Sequence, residues 1–105
     1  MKRIKFMPEY HCCPIWVYGD SGELLDNSLP DDLKGDKELS SLIKEVAQEY
    51  DNLYVDNEVV FEFCGFKDEL VKQSFFSKVN RAIALLTREA SGRYEIEVQI
   101  SEVDI

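Results

Sequence analysis

Two apolar stripes at helical spacing, each preceded by an aspartate, constrain this chain more than any other feature. Leu39, Leu42, Ile43, Val46, Ala47 and Tyr50 recur every three or four residues. Val71, Phe75, Val79, Ala82, Ile83 and Leu86 do the same. Side chains at those spacings share one face of an α-helix, so each run predicts a helix with one apolar side. Asp36 and Asp68 stand where a capping carboxylate accepts from free backbone N–H groups at a helix start. Asp51-Asn52 breaks the first pattern. Gly92 stands where a left-handed residue ends the second.

Each stripe has to be covered, and the rest of the chain supplies strands. Arg3-Ile4-Lys5-Phe6-Met7 alternates charged and apolar side chains until Pro8, which cannot donate to a ladder. Tyr94, Ile96, Val98 and Ile100 point one way; Glu95, Glu97, Gln99 and Ser101 point the other. Val59 to Phe63 is β-branched and aromatic on both faces, which predicts a central strand. Pro14–Tyr18 and Glu23–Leu25 flank the turn Gly19-Asp20-Ser21-Gly22 and read as a short hairpin. Asn27 to Gly35, with Pro30, reads as a loop.

The resulting order predicts the α+β class. It is a two-layer sandwich, with two helices packed on one face of a three- to five-stranded sheet, in a single domain over 1–105. Parallel pairing of strand 59–63 with the last strand would make their connection a right-handed crossover. Arg3 and Lys5 complement Glu95 and Glu97, or Glu62, across strands; such pairs contribute about 0.2–1 kcal/mol each.

Net charge is −9, and its distribution says more than its size. Residues 20–69 carry fifteen acids against Lys34, Lys37, Lys44 and Lys67, a net of −11. Residues 1–19 are net +2, and residues 70–105 balance. An acidic surface repels phosphate backbones, which disfavours direct nucleic-acid binding. It attracts cationic proteins and speeds their encounter. Solubility alone also explains an acidic chain.

No apolar run approaches the ~18 residues of a membrane span. Met1 to Met7 is basic but lacks a following apolar core, so a cytoplasmic location is expected. Three cysteines, two of them adjacent, read as reduced thiols.

His11-Cys12-Cys13 is the one place with catalytic vocabulary. A thiolate beside an imidazole is a nucleophile, and His with Cys binds zinc. Against that, adjacent ligands strain a tetrahedral site, only Cys64 remains as a further soft ligand, and Glu9 opposes thiolate formation. A structural role outweighs catalysis there. Asp51-Asn52…Asp56-Asn57-Glu58 lacks the order of a calcium loop. The scattered glycines form no phosphate loop. No cofactor or metal is expected. Tyr10, Trp16, Tyr18, Tyr50 and Tyr54 flank acidic loops, where aromatic side chains suit an interface as well as a core edge.

Phe6-Met7-Pro8-Glu9-Tyr10, followed by Cys12, Pro14, Ile15 and Trp16, resembles the start of small acidic bacterial immunity proteins. Asp56-Asn57-Glu58 before a strand and Gly65-Phe66 after it add to the likeness. These belong to toxin–immunity pairs, including contact-dependent inhibition systems. The resemblance implies a protein that binds one cognate toxin domain and blocks its active site or substrate path, with no catalytic residue of its own. Many toxin domains are nucleases with basic clefts, which an acidic partner would complement.

The leading expectation is therefore a non-enzymatic binder of a basic protein, needing no cofactor. Its candidate contacts are Asp20, Glu23, Asp26, Asp31, Asp32, Glu45, Glu49 and Asp51, with Tyr18, Tyr50 and Tyr54 as anchors. Two alternatives stand beside it. One is a small thiol enzyme or redox sensor using Cys12 or Cys13 with His11. The other is a structural or regulatory module that forms a homodimer through its sheet edge.

Overall fold

The computed structural model describes residues 1–100. In chain order they form β1 (Lys2–Phe6), β2 (Ile15–Tyr18), β3 (Leu24–Asp26) and a 3-10 turn (Asp31–Leu33). Then come α1 (Lys37–Asp51), β4 (Tyr54–Asp56), β5 (Phe61–Phe63), α2 (Glu69–Ala90) and β6 (Tyr94–Val98).

Both helices start at the aspartates that the sequence marks. The Asp36 carboxylate accepts from the Leu39 N–H at 3.0 Å, and Asp68 accepts from the Val71 N–H at 2.9 Å. Each satisfies a donor that has no partner inside its own helix. Gly92 has φ +78°, the left-handed conformation that lets the chain leave α2 and turn into β6.

The main sheet is four-stranded and mixed, in the order β3-β2-β1-β6. β1 pairs antiparallel with β2 and parallel with β6. The register sets Arg3 opposite Glu95 and Lys5 opposite Glu97, with ion-pair distances of 3.9 and 3.6 Å. These charges line the outer face. Ile4, Phe6, Ile15 and Val17 line the inner face and are buried in one cluster with the apolar sides of α1 and α2. The fold is thus α+β, with two helices covering one side of the sheet. Lys78–Glu49, Arg81–Glu38 and Arg88–Asp36 ion pairs tie α2 to α1 along their exposed flanks.

Three expectations need correction. The segment from Val59 to Phe63 is no central strand. β5 covers only Phe61–Phe63 and pairs with β4 alone, in a separate two-stranded ribbon. The crossover between that segment and the last strand therefore does not exist; β6 pairs with β1 instead. Local turn chemistry decides this. The Asn57 side-chain oxygen accepts from the N–H groups of Val59 at 2.8 Å and Val60 at 2.9 Å, folding β5 back onto β4. The stripe on α2 is also rotated. Phe76 and Leu85 join the core, while Val71 is exposed and Ile83 only half-buried. The first turn of α2 runs past the core, leaving Leu70 and Val71 in solvent. Of the residues assigned to the last strand, Ser101 lies outside the described residues.

Candidate functional site

The structure divides the acids that the sequence groups together. Asp20, at the tip of the β2–β3 hairpin, takes the N-terminal ammonium at 2.7 Å, and this bond holds its carboxyl below the usual range. Asp31 takes Lys34 at 2.8 Å and is held low in the same way. Asp32 takes Arg93 at 3.1 Å and the Tyr94 hydroxyl at 3.0 Å. Glu49 takes Lys78. Asp26 accepts from the Asn27 N–H and the Ser28 hydroxyl, both at 2.8 Å. The Glu23 carboxylate lies over Gly19, and Glu45 is exposed on α1 without an ion-pair partner among the described residues.

The three tyrosines part company as well. Tyr18 is on the outer face of the sheet, with the Lys5 ammonium 5.1 Å from its ring centre. It shares a shallow depression with Arg3, Asp20 and Glu95, a place of mixed charge. Tyr50 and Tyr54 meet at the end of α1, hydroxyl to hydroxyl at 3.1 Å. Burial, then that bond, raises the pKa of the Tyr50 phenol.

Around Tyr54 stands a cluster that the sequence reading assembled only in part. Tyr10 and His11 come from the loop after β1. Their rings stack at 3.9 Å, and His11 holds a left-handed φ of 59°, unusual for a residue with a side chain. The Asp51 carboxylate fixes that bend by accepting the His11 backbone N–H at 2.9 Å. Tyr10 then lies 4.7 Å from Tyr54 and 5.3 Å from Phe61, and its hydroxyl donates to Asp56 at 3.1 Å. Tyr54 stacks on Phe61 at 5.6 Å and meets Phe63 edge-on at 5.2 Å. The β4–β5 register explains the gathering: Tyr54 opposite Phe63 and Asp56 opposite Phe61 put all four on one face of the ribbon.

Phe61, Phe63 and Asp56 carry no partner-binding signal in the sequence, and His11 stands out there only as a companion of Cys12 and Cys13. One signal marks their surroundings. No Lys or Arg occurs from Phe6 to Leu33, nor from Glu45 to Phe66, and these two stretches meet where Tyr10 touches the ribbon.

The thiol reading finds little support in this geometry. The His11 ring lies on Tyr10, and burial pushes the Cys13 thiol upward in pKa, away from thiolate. Among the described residues no group of three or more His, Cys, Asp or Glu side chains is placed to hold a metal ion. Alkylation by iodoacetamide at neutral pH is expected to be slowest at Cys13 and faster at the exposed Cys64. Peptide mapping would show it; fast selective labelling of Cys13 would revive the thiol mechanism.

A small α+β domain with an acidic, aromatic-lined surface is the class this geometry defines. A family model described as Serratia CdiI immunity protein-like matches residues 2–100, nearly the whole chain. The chain belongs to this family, and so to the immunity proteins of contact-dependent inhibition. The comparison with curated proteins found no match. No helix among the described residues is long and apolar enough to cross a membrane.

Proposed function

We propose that this protein neutralises a cognate toxin by binding the toxin domain itself, acidic surface against basic surface, and sterically blocking its active site or substrate path. Family membership carries this reading. Charge supplies the physical mode. Seven of the twelve Lys and Arg side chains are held in internal ion pairs, so the charge facing outward is dominated by carboxylates. A toxin with a phosphate-binding cleft, as in a nuclease, presents the complementary sign. Acids without an ion-pair partner among the described residues, Glu45, Asp51, Asp56 and Glu58 among them, contribute most to the long-range field. The protein acts in the cytoplasm as a binder and not as a catalyst.

Stoichiometry tests this directly. Residual activity of the toxin domain encoded in the neighbouring reading frame is expected to fall linearly with added protein, reaching zero near equimolar. Inactivation by a small fraction of an equivalent would mean catalysis. Absence of both protection and complex formation would overturn the proposal.

A further inference from the structure

The main sheet pairs without β4 and β5, and of the ribbon's strands only Tyr54 packs against the core. The ribbon hangs from the end of α1, with the Cys64 and Gly65 N–H groups donating to the Leu53 carbonyl at 2.7 and 3.2 Å. Beyond that root, it is held by ring contacts on one face, by the Tyr10 hydroxyl on Asp56 and by the hydroxyl pair of Tyr50 and Tyr54. Phe61 is 62% exposed, and Val59 at the tip is 90% exposed. An isolated two-stranded ribbon is marginally stable in water. Clustered exposed rings on it are the mark of a surface made for a partner. Leu24, Leu25 and Leu70 are also exposed but have no ring cluster around them.

We propose that this face, built from Tyr10, His11, Tyr54 and Phe61 with Asp56 and Glu58 beside it, docks the toxin domain. Its occupant is an arginine-bearing segment of that domain. The inference rests on the toxin-binding reading above and adds where the contact falls and what chemistry makes it. Charge complementarity selects the occupant. None of the ion pairs among the described residues reaches Asp51, Asp56, Glu58 or Glu62. The chain supplies no cation of its own from Glu45 to Phe66. Elsewhere many acids are answered internally, as Asp32 with Arg93 and Glu38 with Arg81, and those that are not, such as Glu23, Asp26 and Glu45, have no ring cluster beside them. Flat rings beside unpaired carboxylates suit a guanidinium, which stacks on an aromatic face while its N–H fork meets a carboxylate. An ammonium matches that pair of features less well.

Calorimetric titration with the toxin domain encoded beside this chain tests the proposal. Phe61→Ser is expected to weaken binding at least about tenfold, and Asp56→Arg by as much. Glu95→Gln, on the outer face of the main sheet, should stay within about twofold. All three positions are exposed, so the melting transition should persist and show that weakened binding is not unfolding. On the toxin side, one Arg→Lys change among its surface arginines should weaken binding about as much as Phe61→Ser. Wild-type affinity in both Phe61→Ser and Asp56→Arg overturns the docking surface and leaves toxin binding intact. An arginine scan in which every lysine variant binds normally overturns the choice of occupant. No binding by the wild-type protein overturns the underlying reading instead.

Discussion

Phe75→Ala is expected to destabilise the fold by about 3–5 kcal/mol, read as a lower urea midpoint at unchanged slope. Phe75 sits on the buried side of α2 with no exposed surface. Its ring lies 5.3 Å from Phe66 and 5.2 Å from Phe76, the latter edge-to-face at 88°. Truncation removes the ring's transfer energy and also opens a cavity that two fixed aromatic neighbours cannot readily fill. A domain of this size has about 5–15 kcal/mol of total stability, so about a fifth of it or more goes with one side chain.

The position also bears on function. Phe66 follows Gly65, whose φ of +77° turns the chain out of the ribbon towards α2. The contact between Phe66 and Phe75 therefore pins the root of the ribbon to the core. Protection against toxin should fall in Phe75→Ala because less folded protein is present. In Phe61→Ser protection should fall while the folded population stays nearly constant. That contrast separates a core phenylalanine from a contact phenylalanine. A Phe75→Ala variant within about 1 kcal/mol of wild type would mean that this ring is not the packing centre described.

How much of this was legible depends on how local the signal is. The caps at Asp36 and Asp68 and the turn at Gly92 act over three or four residues, and each stands where the sequence puts it. Alternation fixes that Arg3 and Lys5 share a face, and likewise Glu95 and Glu97, but only the register of β1 on β6 chooses these acids over Glu62. The α2 stripe was readable in kind but not in phase. A 22-residue helix offers several overlapping three- and four-residue spacings, and only the position of the sheet selects Phe76 and Leu85 over Val71 and Ile83. The ribbon failed for another reason. Apolar side chains on both faces describe a buried strand, and equally a solvated hairpin whose rings lean on one another. Nothing in Val59 to Phe63 alone separates the two; the Asn57 turn does.

The candidate site was the least legible part, because ion pairs join distant residues. Asp32 meets Arg93 across 61 positions, and Glu49 meets Lys78 across 29. Counting charge along the chain gave the sign of the surface correctly but could not say which carboxylates the fold had already answered. Local composition marks Tyr50, Asp51 and Tyr54, and the fold brings them together. The same local grounds mark Tyr18 and Asp20, which lie with Arg3 and Lys5 instead.

Association with the toxin domain is expected to slow at least about tenfold as ionic strength rises from about 0.01 M to about 1 M, where the screening length falls from about 30 Å to about 3 Å. Stopped-flow mixing across a salt series would measure it. The dissociation rate should change much less over the same range. Long-range steering depends on the summed field of a chain with net charge −9, whereas residence time depends on contacts already closed against water. The two rates therefore report different parts of the molecule. Acids paired at close range, such as Asp31 with Lys34, cancel at a distance and contribute little to the field. Neutralising any two acids takes the net charge from −9 to −7, but Asp56 and Glu62 belong to the ribbon proposed to meet the toxin, so neutralising them together should flatten the salt slope more than neutralising Asp31 and Asp32. An association rate indifferent to salt would leave steric occlusion standing on contacts alone and would remove charge complementarity from the mechanism.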